Sequence, residues 1–70
     1  MDYIDTLKSL QSLQIEAHEK NKSIMITNGN GYLFYAVYSK GNKLIEQKML
    51  HPEFDNAEEI LTELKTTINQ

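Results

Sequence analysis

Two turn signals near the middle of the chain constrain its fold more than any other feature. Asn28-Gly29-Asn30-Gly31 and Gly41-Asn42 flank the largely apolar run from Tyr32 to Ser39. Asn-Gly and Gly-Asn pairs favour the positive φ angles of tight hairpin turns, and β-branched and aromatic residues are frequent in the segments around them. We therefore predict three strands in an antiparallel meander, at residues 23–27, 32–39 and 44–50.

Helical patterns lie on both sides of these strands. Asp2 can cap a first helix that runs to about Glu19, and Asp55 can cap a final helix with Glu58 three residues later, as in a capping box. The inward-facing stripes are Tyr3, Leu7, Leu10, Leu13, Gln14 and Ala17 in the first helix and Ala57, Ile60, Leu61, Leu64 and Ile68 in the last. We predict a single α+β domain over residues 1–70, in the order αβββα, with both helices packed on one face of the three-stranded sheet.

The second turn sets which side chains of the central and third strands share a face. A two-residue turn at Gly41-Asn42 groups Phe34, Ala36, Tyr38, Ile45, Gln47 and Met49 on one face, and Leu33, Tyr35, Val37, Glu46 and Lys48 on the other. We assign the first group to the core, because it is mostly apolar and the small Ala36 lets a helix approach. Leu33, Tyr35 and Val37 then lie on the open face, as a candidate surface for dimerisation or partner contact.

The first turn admits two registers. An even loop over Asn28 to Gly31 places Ile24 and Ile26 on the open face, whereas a three-residue loop with a bulge buries them and turns Met25 outward. Burying an isoleucine stabilises a fold by about 1.5–3 kcal/mol. We therefore favour the three-residue loop.

No catalytic, cofactor-binding or metal-binding residues are predicted. The chain has no cysteine, which excludes disulfides, zinc–thiolate sites and thiol chemistry. Gly29-Asn30-Gly31 precedes a strand, whereas a phosphate-binding loop needs a following helix. His51, Glu53 and Asp55 alternate in one loop but lack a fourth metal donor. Because no nucleophile, base and orienting group occur together, we predict a protein that is not an enzyme.

Composition indicates a bacterial cytoplasmic setting. All seven basic residues are lysine, and Asn and Ile are plentiful, a bias typical of AT-rich bacterial or phage genomes. The chain shows neither a charged-then-apolar leader nor an apolar run of membrane-span length. We expect a soluble cytoplasmic protein in a bacterial host cell, without a membrane partner.

Charge is unevenly distributed along the chain, which has a net charge of −3. Residues 1–19 carry four carboxylates against one lysine, and residues 20–50 carry five lysines against one carboxylate. Residues 51–70 carry five carboxylates against one lysine. The order acidic, basic, acidic predicts surfaces of opposite sign.

The final helix carries the main acidic feature. Asp55, Glu59 and Glu63 recur every fourth residue, which predicts a row of carboxylates about 6 Å apart. Phosphates along a nucleic acid strand have a similar spacing, so such a row can compete for a basic DNA-binding surface; a plain solvated helix face is the alternative. The predicted acidic surface comprises Asp55, Glu58, Glu59 and Glu63, with Asp2, Asp5, Glu16 and Glu19 added from the first helix.

The central lysines support an alternative hypothesis, direct binding of a nucleic acid. They are Lys20, Lys22, Lys40, Lys43 and Lys48, and they lie near the aromatic residues Tyr32, Phe34, Tyr35 and Tyr38. Lysines also commonly protect strand ends and edges from aggregation. Arginine, the preferred side chain for contacting phosphate and guanine, is absent. Direct nucleic-acid binding and homodimerisation are therefore the alternatives to the binding of a basic protein.

Two resemblances bear on function. The order helix, three strands, helix resembles the double-stranded RNA-binding domain, but that family binds through lysines at the start of its second helix, where this chain has Asp55-Asn56-Ala57-Glu58-Glu59. The stretch DNAEEILTEL is similar in character to the small acidic DNA mimics with which phages disable host factors, including the inhibitor that SPO1-type phages direct at the nucleoid protein HU. The second resemblance implies a basic DNA-binding host protein as the partner. Small anti-CRISPR proteins share the same size and charge.

Overall fold

The order of elements in the computed structural model, which describes residues 1–70, confirms the predicted α+β fold. Helix α1 (Tyr3–Glu19) leads into strands β1 (Ser23–Asn28), β2 (Leu33–Ser39) and β3 (Lys43–Leu50), and helix α2 (Ala57–Ile68) follows. The strands form one antiparallel sheet in the order β1-β2-β3. Both helices cover the same face of this sheet, since their apolar residues join side chains of β1 and β2 in one buried cluster.

Helix α1 begins where the sequence predicts. The Asp2 side chain accepts a 2.8 Å hydrogen bond from the backbone N–H of Asp5, which caps the first turn. Gln14 Nε2 donates a 2.8 Å hydrogen bond to the Ile24 carbonyl and fastens the helix to β1. The buried residues of α1 are Thr6, Leu10, Leu13 and Ala17. Neither helix has the length and apolar character needed to cross a membrane.

Helix α2 is capped by Asn56 and not by Asp55, which corrects the predicted start. The Asn56 side chain accepts a 3.3 Å hydrogen bond from the Glu59 N–H and donates one of 3.0 Å to Glu59 Oε2. Asp55 instead accepts a 2.8 Å hydrogen bond from the backbone N–H of His51, because its carboxylate closes the turn before the helix. The predicted inward stripe is confirmed, with Ala57, Leu61, Leu64 and Ile68 buried and Ile60 partly buried.

The first hairpin closes with an even loop, so the predicted three-residue loop is wrong. Asn28 pairs with Leu33, and the backbone N–H of Gly29 donates a 2.9 Å hydrogen bond to the Tyr32 carbonyl. Gly29 suits this position because a Cβ there would overlap the ring of Tyr32. The four residues between the paired strands thus keep the side-chain alternation of an even loop.

The second hairpin follows the predicted register until it nears its turn. From Leu33 to Val37 the pairing with β3 is as predicted. Beyond Val37 a bulge shifts the pairing by one residue, and the turn spans residues 40–42 in place of two residues. Gly41 and Asn42 both adopt positive φ angles, 90° and 62°, which is the conformation that this turn signal favours.

The core lies on the opposite face of the sheet from the one predicted. Leu33, Tyr35 and Val37 are at most 1% exposed and pack beneath the helices, so they do not form a free contact surface. The even loop explains this inversion, because it pairs Ile24 with Val37 and so aligns the isoleucines of β1 with these three residues. The face assigned to the core is open instead, with exposed or half-buried Phe34, Tyr38, Ile45, Gln47 and Met49 around a buried Ala36.

Candidate protein-binding surfaces

The N-terminal ends of both helices and the β3–α2 loop lie at one end of the molecule. The Tyr3 hydroxyl donates a 3.4 Å hydrogen bond to the Gly29 carbonyl, which puts the start of α1 beside the first hairpin turn. The rings of Tyr32 in that turn and His51 in the β3–α2 loop lie 5.9 Å apart between centroids. The two acidic segments of the sequence therefore meet in space.

Six carboxylates gather at this end, which we name the acidic end. They are Asp2, Asp5, Glu53, Asp55, Glu58 and Glu59, and all are exposed. Five of them belong to the acidic surface predicted from the sequence, and the β3–α2 loop adds Glu53. The other predicted members lie elsewhere, Glu16 and Glu19 toward the C-terminal end of α1 and Glu63 midway along α2.

The predicted row of three carboxylates along α2 does not form. Asp55 precedes the helix and is held by His51, so only Glu59 and Glu63 remain one helical turn apart. Glu58 lies on another side of the helix, where it lines a groove between α1 and α2. The acidic surface is therefore a cluster at one end and not a linear array.

Lysines do not neutralise the acidic end. The ion-pair contact within 4.0 Å in this chain joins His51 Nδ1 and Asp55 Oδ2, which are 3.9 Å apart. No lysine lies within that distance of an Asp or Glu carboxylate. The carboxylates of the acidic end are therefore exposed to solvent without a lysine partner.

The opposite end of the molecule is basic. Ser23 pairs with Tyr38, so the α1–β1 turn lies beside the β2–β3 turn. These two turns carry Lys20, Lys22 and Lys40, and β3 begins beside them with Lys43; we name these four lysines the basic end, whereas Lys48 lies further along β3. Four of the seven lysines thus lie at this end, where Glu19 precedes Lys20 at the end of α1.

Phe54 projects from the acidic end and is 85% exposed. Its backbone N–H donates a 2.9 Å hydrogen bond to the His51 carbonyl, so an ordered turn presents the ring between Glu53 and Asp55. Exposed aromatic rings of this kind are frequent energetic anchors of protein interfaces. The sequence does not single out Phe54, because a lone Phe in a loop belongs to no periodic pattern that would distinguish an exposed anchor from a core residue. Its acidic neighbours are the only local signal.

A groove of about 430 Å³ separates α1 from α2. The nearly buried Leu13 and Leu61 contribute its apolar surface, and its ionisable side chains are Glu16, Glu58 and Lys65. Serines line it without a histidine to activate them. No three His, Cys, Asp or Glu side chains in the chain are grouped so as to hold a metal ion. The groove therefore has the character of a solvated cleft between helices.

A partly buried polar cluster joins β2, β3 and α2. The Tyr35 hydroxyl donates a 3.1 Å hydrogen bond to Glu46 Oε2, and Thr67 Oγ1 donates one of 3.2 Å to Glu46 Oε1. Burial, followed by the nearby carboxylates of Glu46 and Glu63, raises the pKa of Tyr35 well above its ordinary range. The phenol stays protonated at neutral pH, and the cluster has a structural role.

No protein-family model, curated protein or solved structure matches this chain. The observations that bear on function are therefore those of the chain itself. They are the acidic end, the exposed ring of Phe54 within it, and the lysines of the basic end.

Proposed function

We propose that this protein is a non-enzymatic inhibitor, encoded by a phage and cytoplasmic in the bacterial host, that binds a basic DNA-binding protein such as the nucleoid protein HU. The acidic end occupies the DNA-binding surface of this partner in place of DNA. The observation that carries the proposal is the presence of six exposed carboxylates, none paired with a lysine, at the end of the molecule that also presents the exposed Phe54.

Clustered carboxylates favour a basic partner in two ways. Their summed field speeds the encounter with a positively charged surface. In the complex they take the place of the phosphates that the partner's basic side chains contact, so that the inhibitor and DNA exclude each other. Asp5, Glu58 and Glu59 lie in the first turns of their helices, and this rigid support limits the conformational entropy lost on binding.

Phe54 adds an apolar contact that DNA does not offer at its phosphates. The ring is exposed at the surface of an ordered turn, and Glu53 and Asp55 flank it in the sequence. An aromatic side chain that becomes fully desolvated within a polar rim often dominates binding energy. Part of the affinity should therefore be independent of salt, and this part distinguishes the inhibitor from DNA.

Two double variants with the same change of charge test the position of the binding surface. Glu58→Gln with Glu59→Gln alters the acidic end, and Glu19→Gln with Glu63→Gln is the matched control elsewhere on the helices. Binding of each protein to HU would be measured by calorimetry over a range of salt concentrations. The first pair should weaken binding roughly tenfold, since each exposed ion pair contributes up to about 1 kcal/mol, and should flatten the salt dependence.

The control pair should bind with nearly the wild-type affinity. Equal weakening by both pairs would show that diffuse negative charge, and not the acidic end, governs binding. Failure of the wild-type protein to bind HU would remove this partner from the proposal.

A separate pair of variants tests the aromatic contact. Phe54→Ala should weaken binding while leaving the salt dependence unchanged, because it removes apolar contact area and no charge. Ile15→Ala is the control, since Ile15 is 66% exposed on α1, away from the acidic end. A gel-shift series with DNA and RNA should show no complex with the inhibitor alone. A shift at low salt would instead favour direct nucleic-acid binding by the basic end.

A further inference from the structure

The open face of the sheet carries exposed apolar side chains from all three strands. Those with 43–51% exposure are Met25, Leu44, Ile45 and Met49. The bulge contributes to this surface. Ile45 precedes the inward-facing Glu46 and so faces outward, and the shift in pairing places Leu44 opposite the outward-facing Tyr38. We name as the apolar sheet face the surface formed by Met25, Phe34, Ala36, Tyr38, Leu44, Ile45 and Met49. Soluble monomers seldom leave so continuous an apolar patch uncovered.

We propose that a second copy of this chain covers the apolar sheet face in a symmetric homodimer. Charge is the first reason. The charged residues within the strands are Lys43, Glu46 and Lys48. They pair with Ser39, Val37 and Tyr35 respectively, so they belong to the helix-covered side of the sheet and not to the apolar sheet face. Each copy carries a net charge of −3, so two copies repel one another across acidic surfaces. The uncharged sheet face is where two copies can meet without opposing like charges.

The size of the face fits a stable dimer. Half-exposed Met, Leu and Ile side chains each leave roughly 100 Å² or slightly less open to solvent, and the partly covered rings of Phe34 and Tyr38 add to this. Together with the exposed polar neighbours Ser23, Thr27 and Gln47, the face offers roughly 700 Å². A specific interface of standard size covers roughly 800 Å² on each partner.

The shape of the face suits contact with its own copy. Ala36 lies at the centre of the middle strand, and larger side chains surround it, with Phe34 and Tyr38 on its own strand and Met25 directly across from it on β1. A twofold axis that passes near Ala36, which its neighbours already cover, brings the apolar side chains around it in one copy against the same side chains of the other. Such an isologous contact needs only one self-complementary patch, and stacked sheets pack about 10 Å apart.

The dimer leaves the acidic end of each copy free. The helices cover the other face of the sheet, so both helical layers face outward. Dimerisation is therefore independent of the proposed inhibitor function, and either can fail without the other. A dimer would present two acidic ends to a partner.

Sedimentation of the wild-type protein over a range of concentrations tests the proposal. We expect twice the chain mass, with dissociation on dilution. Met49→Glu should shift the protein to the monomer mass, because each dimer would bury two added carboxylates. Ile15→Glu makes the same change at an exposed isoleucine of α1 and should leave the dimer intact. Circular dichroism shows whether each variant remains folded.

Isotope-filtered NMR on a mixture of labelled and unlabelled wild-type chains tests the dimer without any variant, so its result does not depend on whether Met49→Glu folds. Contacts between the labelled methyl groups of Met25 or Met49 and unlabelled chains are expected. A wild-type protein that sediments as a monomer at every concentration would overturn the proposal. A folded Met49→Glu variant that remains dimeric would also overturn it, as would intermolecular contacts confined to the helices.

Discussion

The hydroxyl of Tyr35 donates a 3.1 Å hydrogen bond to Glu46 Oε2, joining β2 to β3 on the helix-covered face of the sheet. Thr67 Oγ1 donates to the other oxygen of Glu46 at 3.2 Å, so α2 joins the same cluster. A half-buried carboxylate needs such donors, because burying a charge without partners is costly. This cluster explains how Glu46 is accommodated on the face where the core lies.

Stability should fall at alkaline pH in a way that depends on Tyr35. Burial and the nearby carboxylates raise the pKa of this phenol above its unfolded value of about 10. Because the folded-state pKa is the higher one, the stabilisation is complete below about pH 10 and is lost as pH rises above that value. Urea unfolding of the wild-type protein and of Tyr35→Phe, from neutral to alkaline pH, measures this effect.

At neutral pH, Tyr35→Phe should lower the free energy of unfolding by about 1–3 kcal/mol, since a hydrogen bond to a charged group is lost. The two proteins should converge as pH rises, because the variant has no phenol to ionise at this position. The other three tyrosines are common to both proteins. A difference that stays constant through the alkaline range would contradict the assigned role of Tyr35.

The cap of α2 is the subject of a second prediction. Asn56→Ala should lower the free energy of unfolding by about 1 kcal/mol, because the N–H of Glu59 loses its acceptor. Asn56→Ser keeps a side-chain oxygen that can accept from this N–H and should remain closer to wild type than Asn56→Ala. Denaturant unfolding compares the three proteins. Equal losses in both variants would mean that the side-chain acceptor does not stabilise the helix.

A third prediction concerns the contact between Gly29 and Tyr32. Gly29→Ala should lower the free energy of unfolding by about 1–3 kcal/mol, because the added methyl group displaces the Tyr32 ring from its place near His51. In a Tyr32→Ala background the same substitution should cost much less, since no ring opposes the methyl group. A double-mutant cycle measures this coupling. Additive losses would indicate that the backbone of the turn, and not the ring, requires glycine.

The sequence predicts the elements of this fold well, because they rest on local signals. The Asp2 side chain caps α1 by accepting a hydrogen bond from the Asp5 N–H, and the apolar stripe of α2 follows the helical period without interruption. Which face of the sheet is buried depends instead on contacts between residues that are distant in the sequence. Strand β2 has apolar side chains on both sides, so its own pattern does not decide between Tyr35 and Phe34 as the inward residue.

The register favoured from the sequence correctly predicts burial of Ile24 in β1, but the loop on which it is based is wrong. Ile24 is 4% exposed and Met25 faces outward, as the favoured register predicted for this strand. An even loop also buries Ile24, provided that the helices cover the face of Tyr35 and Val37. Sequence periodicity does not determine whether the loop has an even or an odd number of residues, or which face of the sheet the helices cover.

The candidate site was predictable only in part. Carboxylates near helix starts are visible in the sequence, and antiparallel topology then brings the start of α1 beside the loop that leads into α2. Asp55 lies outside the helix because Asn56 caps it instead. Both residue types are good N-caps, so the sequence alone does not decide between two that are adjacent. Exposure of Phe54 depends on the path of its turn.

Displacement of DNA from HU is the direct test of whether the acidic end occupies the DNA-binding surface of the partner. Labelled DNA would be bound to HU, and its fluorescence anisotropy would be followed as the inhibitor is added at several salt concentrations. We expect the wild-type protein and the pair Glu19→Gln with Glu63→Gln to release the DNA, and the pair Glu58→Gln with Glu59→Gln to release less of it. DNA that stays bound at saturating inhibitor, alone or in a ternary complex, would contradict the proposal.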